Sequence, residues 1–374
     1  MIAAQETKTT STEAEQPVFE RMTPYNHEEV VFFYDEKTGL KAIVAIHNTV
    51  LGPALGGTRM WKYKSEAEAI NDVMRLSRGM TYKASISGLN LGGGKAVIIG
   101  DSKKDKSEAL LRKYGKFIDT LGGRYITAED VGISTVDMEY VRMETKHVTG
   151  LPESMGGGGD PSPITAYGVF MGMKAAANQK WGSDSLAGKT IAVQGVGHVG
   201  EHLVKLLAAE KAIIYVSDIS EDNVRHVLSQ YPAIHVGVDA IYDVKMDIYA
   251  PCAMGATVNT DTINRLSCSV IAGSANNQLL DENEHGLMLM KKGIIYAPDF
   301  LINAGGLINV FSELNGYDRR QALASTEKIY QFTLDILKKS IAENIPSQQA
   351  AKEVAEKRIE EAKKAKLNLN GHSV

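Results

Sequence analysis

The segment from Thr190 to Asp218 constrains the fold more than any other stretch. An apolar run, Thr190-Ile191-Ala192-Val193-Gln194, leads into Gly195-Val196-Gly197-His198-Val199-Gly200, and a helical pattern continues through Ala209. A second apolar run, Ile213 to Ser217, ends at Asp218, 23 residues after Gly195. Each glycine has its own task in a strand–turn–helix unit of this kind. The first makes the turn, the second admits a pyrophosphate to the backbone, and the third lets helix and strand pack closely. The helix N-terminus supplies amide donors for phosphate. Asp218 is placed to accept from ribose hydroxyls and to repel a 2′-phosphate. The unit therefore reads as a dinucleotide site that favours NAD over NADP, with Arg225 the nearby cation that bears on that choice. Further apolar runs at Ile248–Ala250, Val270–Ala272 and Ile294–Tyr296 alternate with helical patterns, which implies a parallel sheet.

A chain of 374 residues exceeds one compact core and suggests two domains. A net charge of −4 gives no reason to expect nucleic acid or an anionic membrane as partner. Cys252 and Cys268 fit no CxxC or zinc spacing, and a reduced, cytoplasmic location is the simplest reading. His198 and His202 resemble half of a metal site, but no further ligand cluster accompanies them, so no metal is expected. Met1 to Gln16 reads as a disordered tail and lacks the pattern of a secretory signal. No stretch reaches the roughly 18 uninterrupted apolar residues of a spanning helix.

In the first half, Val30–Tyr34 and Leu40–Ile46 flank a turn and read as a hairpin. Leu51 to Arg59 is dense in glycine and reads as an irregular loop. Ser65-Glu66-Ala67-Glu68 has capping-box spacing and opens a helix towards Ser77. Lys95–Ile99 reads as a buried strand, Ser107–Leu121 as a helix and Arg124–Thr127 as a strand. Gly156–Gly159 followed by Pro161 and Pro163 is the clearest break and reads as a crossing between domains. A helix is expected from Ala166 to about Lys180. From Ala322 to Ala365 two helices are expected, split near Asn344-Ile345-Pro346.

Two lysines carry the chemistry. Lys83 and Lys95 flank a nearly uncharged segment, Ala84 to Leu91, and Lys95 follows Gly92-Gly93-Gly94. A strand or turn there would bring both ammonium groups into one apolar, glycine-lined place. A lysine buried without a carboxylate neighbour loses proton affinity and becomes a base near neutral pH, while its neighbour stays charged and holds a substrate carboxylate. The alternative is a glycine turn with two surface lysines. Glu129 and Asp130, at the end of the predicted strand, are candidates for a functional group or a helix cap. Asn276-Asn277 and Asn303-Ala304-Gly305-Gly306 are candidates for ligand-facing amides or for turns.

Leu51 to Trp61, Met80 to Asp101, Gly195 to Gly200 and Pro298 to Asn309 together resemble signatures of the amino-acid dehydrogenases that include the glutamate, leucine, phenylalanine and valine enzymes. The resemblance runs from near Phe19 to the final helices. It implies an α/β protein of two domains around a cleft. A substrate-binding and oligomerisation domain would span about 18–160, joined by helices at about 330–366. A Rossmann-type NAD-binding domain would span about 161–329, behind a tail at 1–17. The glycine run at 156–159 would serve as hinge.

By the same resemblance Lys83 binds the substrate α-carboxylate, Lys95 is the catalytic lysine and Asp130 the catalytic aspartate. Gly56 and Gly57 line the substrate site. Thr165 and Asn277 stand near the nicotinamide, Asn277 also near substrate. The reaction implied is reversible oxidative deamination of an L-amino acid through an iminium, releasing ammonium and a 2-oxo acid. A homo-oligomer, octamer or dimer, is implied too.

In the glutamate enzymes a lysine and a serine hold the distal carboxylate. Leu55 and Val310 stand at the matching positions here, and burying an unpaired carboxylate against them is expensive. With Ala128 and Leu307 they imply an aliphatic slot for leucine and other branched-chain substrates. Phenylalanine is second, since a methylene or two decides only about 1–3 kcal/mol. Two other classes compete. A catalytically silent NAD-binding regulatory protein would lack a catalytic group. A 2-hydroxy-acid dehydrogenase would need a histidine–carboxylate pair.

Overall fold

The computed structural model describes residues 17–370, with side chains to Leu367. The predicted N-terminal tail lies outside the described residues. The chain divides into two compact units, one running up to Thr81 with Leu91–Thr149, the other Tyr82–Asn90 with Gly150 onward.

The first unit is built on a mixed sheet of β1 (Glu29–Asp35), β2 (Leu40–Asn48), β3 (Ala54–Trp61), β4 (Gly92–Ile99) and β5 (Tyr125–Glu129), in the order β1-β2-β4-β3-β5. β1 and β2 form the expected antiparallel hairpin, and β3 runs parallel to both β4 and β5. The stretch expected to be an irregular loop is thus largely the strand β3. Its glycines are there because neighbouring backbone comes too near for a side chain. A Cβ on Gly56 would lie 1.8 Å from the Gly94 carbonyl oxygen, and one on Gly57 would lie 2.3 Å from that of Glu129. Glycine inside a strand often marks such an approach.

The helices of this part are α1 (Val18–Met22), α2 (Glu66–Ile86), α3 (Glu108–Thr120) and α4 (Thr135–Arg142). Ser65 caps α2, its hydroxyl accepting from the Glu68 amide at 3.1 Å. The helix runs well past Ser77, so Lys83 sits in its last turn rather than in a strand or loop. Ala69, Ile70, Val73 and Met74 of α2 bury against Ile43, Ala45 and Val97 of the sheet. Ser107 caps α3 and Ser134 caps α4 in a reciprocal capping box with Asp137, so neither Glu129 nor Asp130 is a helix cap.

The second unit opens with α5 (Ser162–Trp181), which starts four residues before the expected Ala166 because Pro163 fits the first helical turn. Then follow β6 (Thr190–Gln194), α6 (His198–Ala209), β7 (Ile213–Ser217), α7 (Glu221–Gln230), β8 (Ile234–His235), β9 (Ile248–Pro251), α8 (Thr260–Arg265), β10 (Val270–Ile271), α9 (Glu282–Lys291) and β11 (Ile295–Tyr296). The six strands are all parallel in the order β11-β10-β9-β6-β7-β8, the doubly wound arrangement. The order reverses between β6 and β9, where such folds bind ligands. α10 (Asp299–Ile302), α11 (Gly305–Glu313), α12 (Arg319–Glu327), α13 (Ile329–Glu343) and α14 (Ser347–Asn370) complete the unit.

The C-terminal pattern therefore holds three helices, with an extra break at Lys328, and the expected break falls at Asn344, whose φ is 53°. The Arg358 guanidinium of α14 donates to the carbonyls of Ser85, Gly88 and Leu89. The glycine run is held in place as well: Glu313 of α11 accepts from the amides of Gly150, Leu151 and Gly158.

Candidate active site and dinucleotide cradle

The turn after β6 tests each glycine's expected task. Gly195 has φ +95°, and a Cβ there would press on Ala253 at 2.6 Å, so only glycine makes the turn. A Cβ on Gly200 would lie 2.0 Å from the Gly195 carbonyl oxygen, which is the close helix–strand approach. A Cβ on Gly197 would meet nothing within 4 Å, which leaves open space at the mouth of the turn. No side chain caps α6, so its N-terminal amides have no side-chain acceptor. Asp218 directly follows β7, as expected. One carboxylate oxygen accepts from the Val196 amide at 2.7 Å, the other from the Ser220 amide at 2.8 Å. The acid thus fixes the turn, and each oxygen keeps a lone pair. His198 and Val199 form the first turn of α6. These residues fit the pyrophosphate and ribose of a dinucleotide: open space at Gly197, a helix start with no side-chain cap, and an acid bonded to the turn.

In the first unit, paired residues on adjacent strands share a face. Leu55, Gly57 and Arg59 alternate along β3. Gly57 pairs with Ala128, Arg59 with Val97, and Lys95 lies two residues before Val97. Leu55, Gly57, Arg59, Lys95 and Ala128 therefore lie on the face that α2 covers. Leu55 and Ala128 are buried, and Lys95 is only 7% exposed. The Lys95 ammonium pairs with the Asp130 carboxylate, which also stands 3.5 Å from Arg59 Nε. Lys95 thus has the carboxylate neighbour that reasoning from the lysine segment left out. Burial pushes the Asp130 carboxyl up, but the Lys95 and Arg59 cations outweigh it and hold the group below the usual carboxylate range. The glycine run before Lys95 is part of β4: Cβ atoms on Gly93 and Gly94 would strike Thr81 at 2.1 Å and the Tyr125 ring at 2.6 Å. The reading of a glycine turn with surface lysines is set aside.

In the second unit, Lys83 Nζ donates to Asn276 Oδ1 at 3.3 Å, and Asn303 Nδ2 donates to the same oxygen at 2.8 Å. Asn277 has φ 51°. Thr165 donates its hydroxyl to the Pro161 carbonyl at 3.0 Å. Leu307 and Val310, three apart on α11, are both buried. Among the described residues no group of three or more His, Cys, Asp or Glu is placed to hold a metal ion. Sequence reasoning missed the charges around Asp130, namely Arg59 and, behind it, Asp72. Had β3 been recognised as a strand, its alternation would have put Arg59 on the face of Gly57.

A glycine turn at the switch point of a parallel sheet, in a chain that also pairs a buried lysine with a half-buried aspartate, is the arrangement expected of a nicotinamide-dependent dehydrogenase. Residues 27–147 match the family model described as Glu/Leu/Phe/Val dehydrogenase, dimerisation domain, and residues 156–368 match Glutamate/Leucine/Phenylalanine/Valine dehydrogenase. The chain belongs to this family of amino-acid dehydrogenases. It is 54% identical to a leucine dehydrogenase of Thermoactinomyces intermedius over 93% of this chain and 95% of that one. It is 48% identical to a phenylalanine dehydrogenase of the same organism over 91% and 94%. The crystal structure of L-tryptophan dehydrogenase from Nostoc punctiforme superposes with a TM-score of 0.82 at 43% identity, covering 93% of this chain and all of the other.

Proposed function

We propose that the protein catalyses reversible NAD-dependent oxidative deamination of L-leucine and other branched-chain L-amino acids, giving 2-oxo acids, ammonium and NADH. The observation that carries the reading is the Lys95–Asp130 pair, its lysine buried on an apolar sheet face with Leu55 and Ala128 and its aspartate half-buried. Lys83 binds the α-carboxylate, with Asn276 orienting its ammonium. When bound, the nicotinamide accepts the substrate hydride in one direction and returns it in the other. The substrate ammonium first gives up one proton through Asp130, which already touches Lys95, and the free amine becomes an iminium as hydride leaves its α-carbon. Lys95, once uncharged, takes a proton from the water that attacks the iminium carbon, and Asp130 favours the cationic species formed. Gly56 and Gly57 keep the backbone low beside these groups, and Thr165 and Asn277 stand by the nicotinamide.

Leu55 and Ala128 of the first unit and Leu307 and Val310 of the second are the aliphatic positions proposed to meet the substrate side chain, and none of them can pair with the distal carboxylate of glutamate. Asp218 selects NAD, and Arg225 is drawn away to Glu221 and Asp222 on its own helix, which supports that choice over NADP. The match of residues 27–147 to a dimerisation domain supports a homo-oligomer, dimer or octamer. No helix among the described residues is long and apolar enough to cross a membrane, and the protein is proposed to act in the cytoplasm.

Initial rates of NADH formation with L-leucine, L-valine, L-isoleucine, L-phenylalanine and L-glutamate test the reading. Fast turnover of the branched-chain set is expected. Preference for phenylalanine would overturn the slot but keep the chemistry, and silence on every amino acid would sink the assignment.

A further inference from the structure

Arg59 has no part in the roles assigned above, yet it sits among the groups that hold them. Its Nε stands 3.5 Å from Asp130 Oδ2, and its Nη1 donates to Asp72 Oδ2 at 2.9 Å. Asp72 belongs to α2, the helix that covers this face. The Tyr63 hydroxyl, just beyond β3, donates to the same Asp72 oxygen at 2.7 Å, and Arg75 reaches the other at 3.2 Å. A chain of alternating charge therefore runs Arg75, Asp72, Arg59, Asp130, Lys95. Its members come from α2, β3, the end of β5 and β4.

We propose that Arg59 is a positioning residue for the deamination: anchored from behind by Asp72 and Tyr63, it aims the Asp130 carboxylate at Lys95. The inference rests on the reading of Lys95 and Asp130 as the reacting pair. A lysine alone is a poor guide for a carboxylate, because its ammonium is a point charge on a flexible stem. A guanidinium is planar, always charged and directional. Arg59 is anchored by its hydrogen bond to Asp72, and from there its charge acts on Asp130 from a second direction, at 3.5 Å. Burial acts to lower the Arg59 proton affinity, but Asp130 and Asp72 outweigh it and keep the cation secure.

The titratable groups around the pair are few. Lys95 from β4 and Arg59 from β3 face Asp130. Asp72 and Tyr63 face Arg59, and Arg75 faces Asp72. Glu129, next to Asp130 in sequence, accepts instead from the Thr135 hydroxyl at 2.8 Å. Removing the positive charge of Arg59 raises the proton affinity of the coupled pair, whichever member titrates.

The test compares Arg59→Gln, Arg59→Lys and Lys95→Ala in the assembled enzyme, by pH profiles of kcat and kcat/KM with leucine, KM for NAD, and Tm. Arg59→Gln is expected to move the acid limb to higher pH by about one unit. It should lower kcat roughly 10- to 100-fold, the scale of a small misplacement of a reacting group, with KM for NAD unchanged. Arg59→Lys keeps the charge but loses the fork, so the acid limb should stay near that of the parent while kcat still falls several-fold. Should Arg59→Gln fail to fold, Arg59→Lys decides alone: parental kcat overturns the inference, and lowered kcat at a parental Tm supports it. An Arg59→Gln enzyme with the parental profile also overturns it. So do equal losses in both variants that follow a lowered Tm. Lys95→Ala separates the two levels, because full turnover without Lys95 refutes the reacting pair itself.

Discussion

Asp130→Asn should cost the protein stability as well as activity, and the structure sets the scale. The substitution keeps the shape of the side chain and removes one charge. Lys95 is then left buried, its side chain 9% exposed, with no counter-ion, while Arg59 keeps Asp72. Removing one partner of a buried pair costs about 3–5 kcal/mol. The Asp130 side chain is 20% exposed, so some screening remains and about 3 kcal/mol is expected. The sign with pH follows from linkage. The folded carboxyl lies below its unfolded value, so its contribution is complete above the unfolded value near about 3.9 and is lost as pH falls through the folded one.

The stability gap between parent and variant should therefore stay level from neutral pH down to about pH 5 and close only in stronger acid. Urea unfolding at fixed protein concentration measures it, with Trp61 at the end of β3 reporting the first unit and Trp181 at the end of α5 the second. The cycle is completed by Lys95→Met and the double variant Lys95→Met/Asp130→Asn, which should recover at least about 2 kcal/mol. An Asp130→Asn protein within about 0.5 kcal/mol of the parent, or a coupling near zero, would refute the claim that the pair holds this part of the sheet together.

Further outcomes follow from other parts of the molecule. Gly57→Ala places a methyl 2.3 Å from the Glu129 carbonyl oxygen, and should lower Tm by many degrees and abolish turnover, checked by calorimetry and rate. Asp218→Ala frees the amides of Val196 and Ser220 and removes the repulsion of a 2′-phosphate. Titration should show weaker NAD binding and a narrowed preference over NADP. Leu55→Lys brings an ammonium to the apolar face, and should lower kcat/KM for leucine and raise the ratio of glutamate to leucine turnover. His47 is buried with His27, their rings 4.8 Å apart, and burial first, then the His27 charge, pushes His47 down to about 4 from 6.5. The folded protein binds fewer protons than the unfolded chain between those values, so up to about 3 kcal/mol of stability present above pH 6.5 is lost towards pH 4, and His47→Asn should flatten that slope in urea titrations.

Much of the second unit was legible because its signals are local. An apolar run, a glycine turn and a helix follow one another within 20 residues of Thr190, and Gly195 and Gly200 are answered by contacts within that span or just after β9, while Gly197 opens onto free space. β3 was hidden for the opposite reason. Its glycines look like loop chemistry in the chain, and only Gly94 and Glu129, far off in sequence, reveal them as close approaches. α2 looked finished near Ser77 because Gly79 and Thr81 are weak helix formers. Yet the Thr81 hydroxyl is bonded to His47 at 2.8 Å, and tertiary contacts carry the helix on. α4 escaped although Ser134 and Asp137 spell a capping box. Lys83 and Lys95 were singled out by the glycine run and the uncharged segment between them, and resemblance gave them roles and favoured Asp130, whereas the Arg59–Asp72 link spans 13 residues of sequence and two element types, and no local pattern announces it.

The floor under Lys95 is made of positions that admit no side chain at all. Gly56, Gly57, Gly93 and Gly94 each meet a backbone or ring atom at well under 3.0 Å once a Cβ is added. Divergence within a family built this way has few places to act. The floor is closed to drift, so on the proposed function a change of substrate falls to the walls, where Leu55 and Ala128 do carry side chains. On that reading a shift between aliphatic and aromatic amino acids needs only a handful of wall exchanges, and the Lys95–Asp130 pair stays as it is.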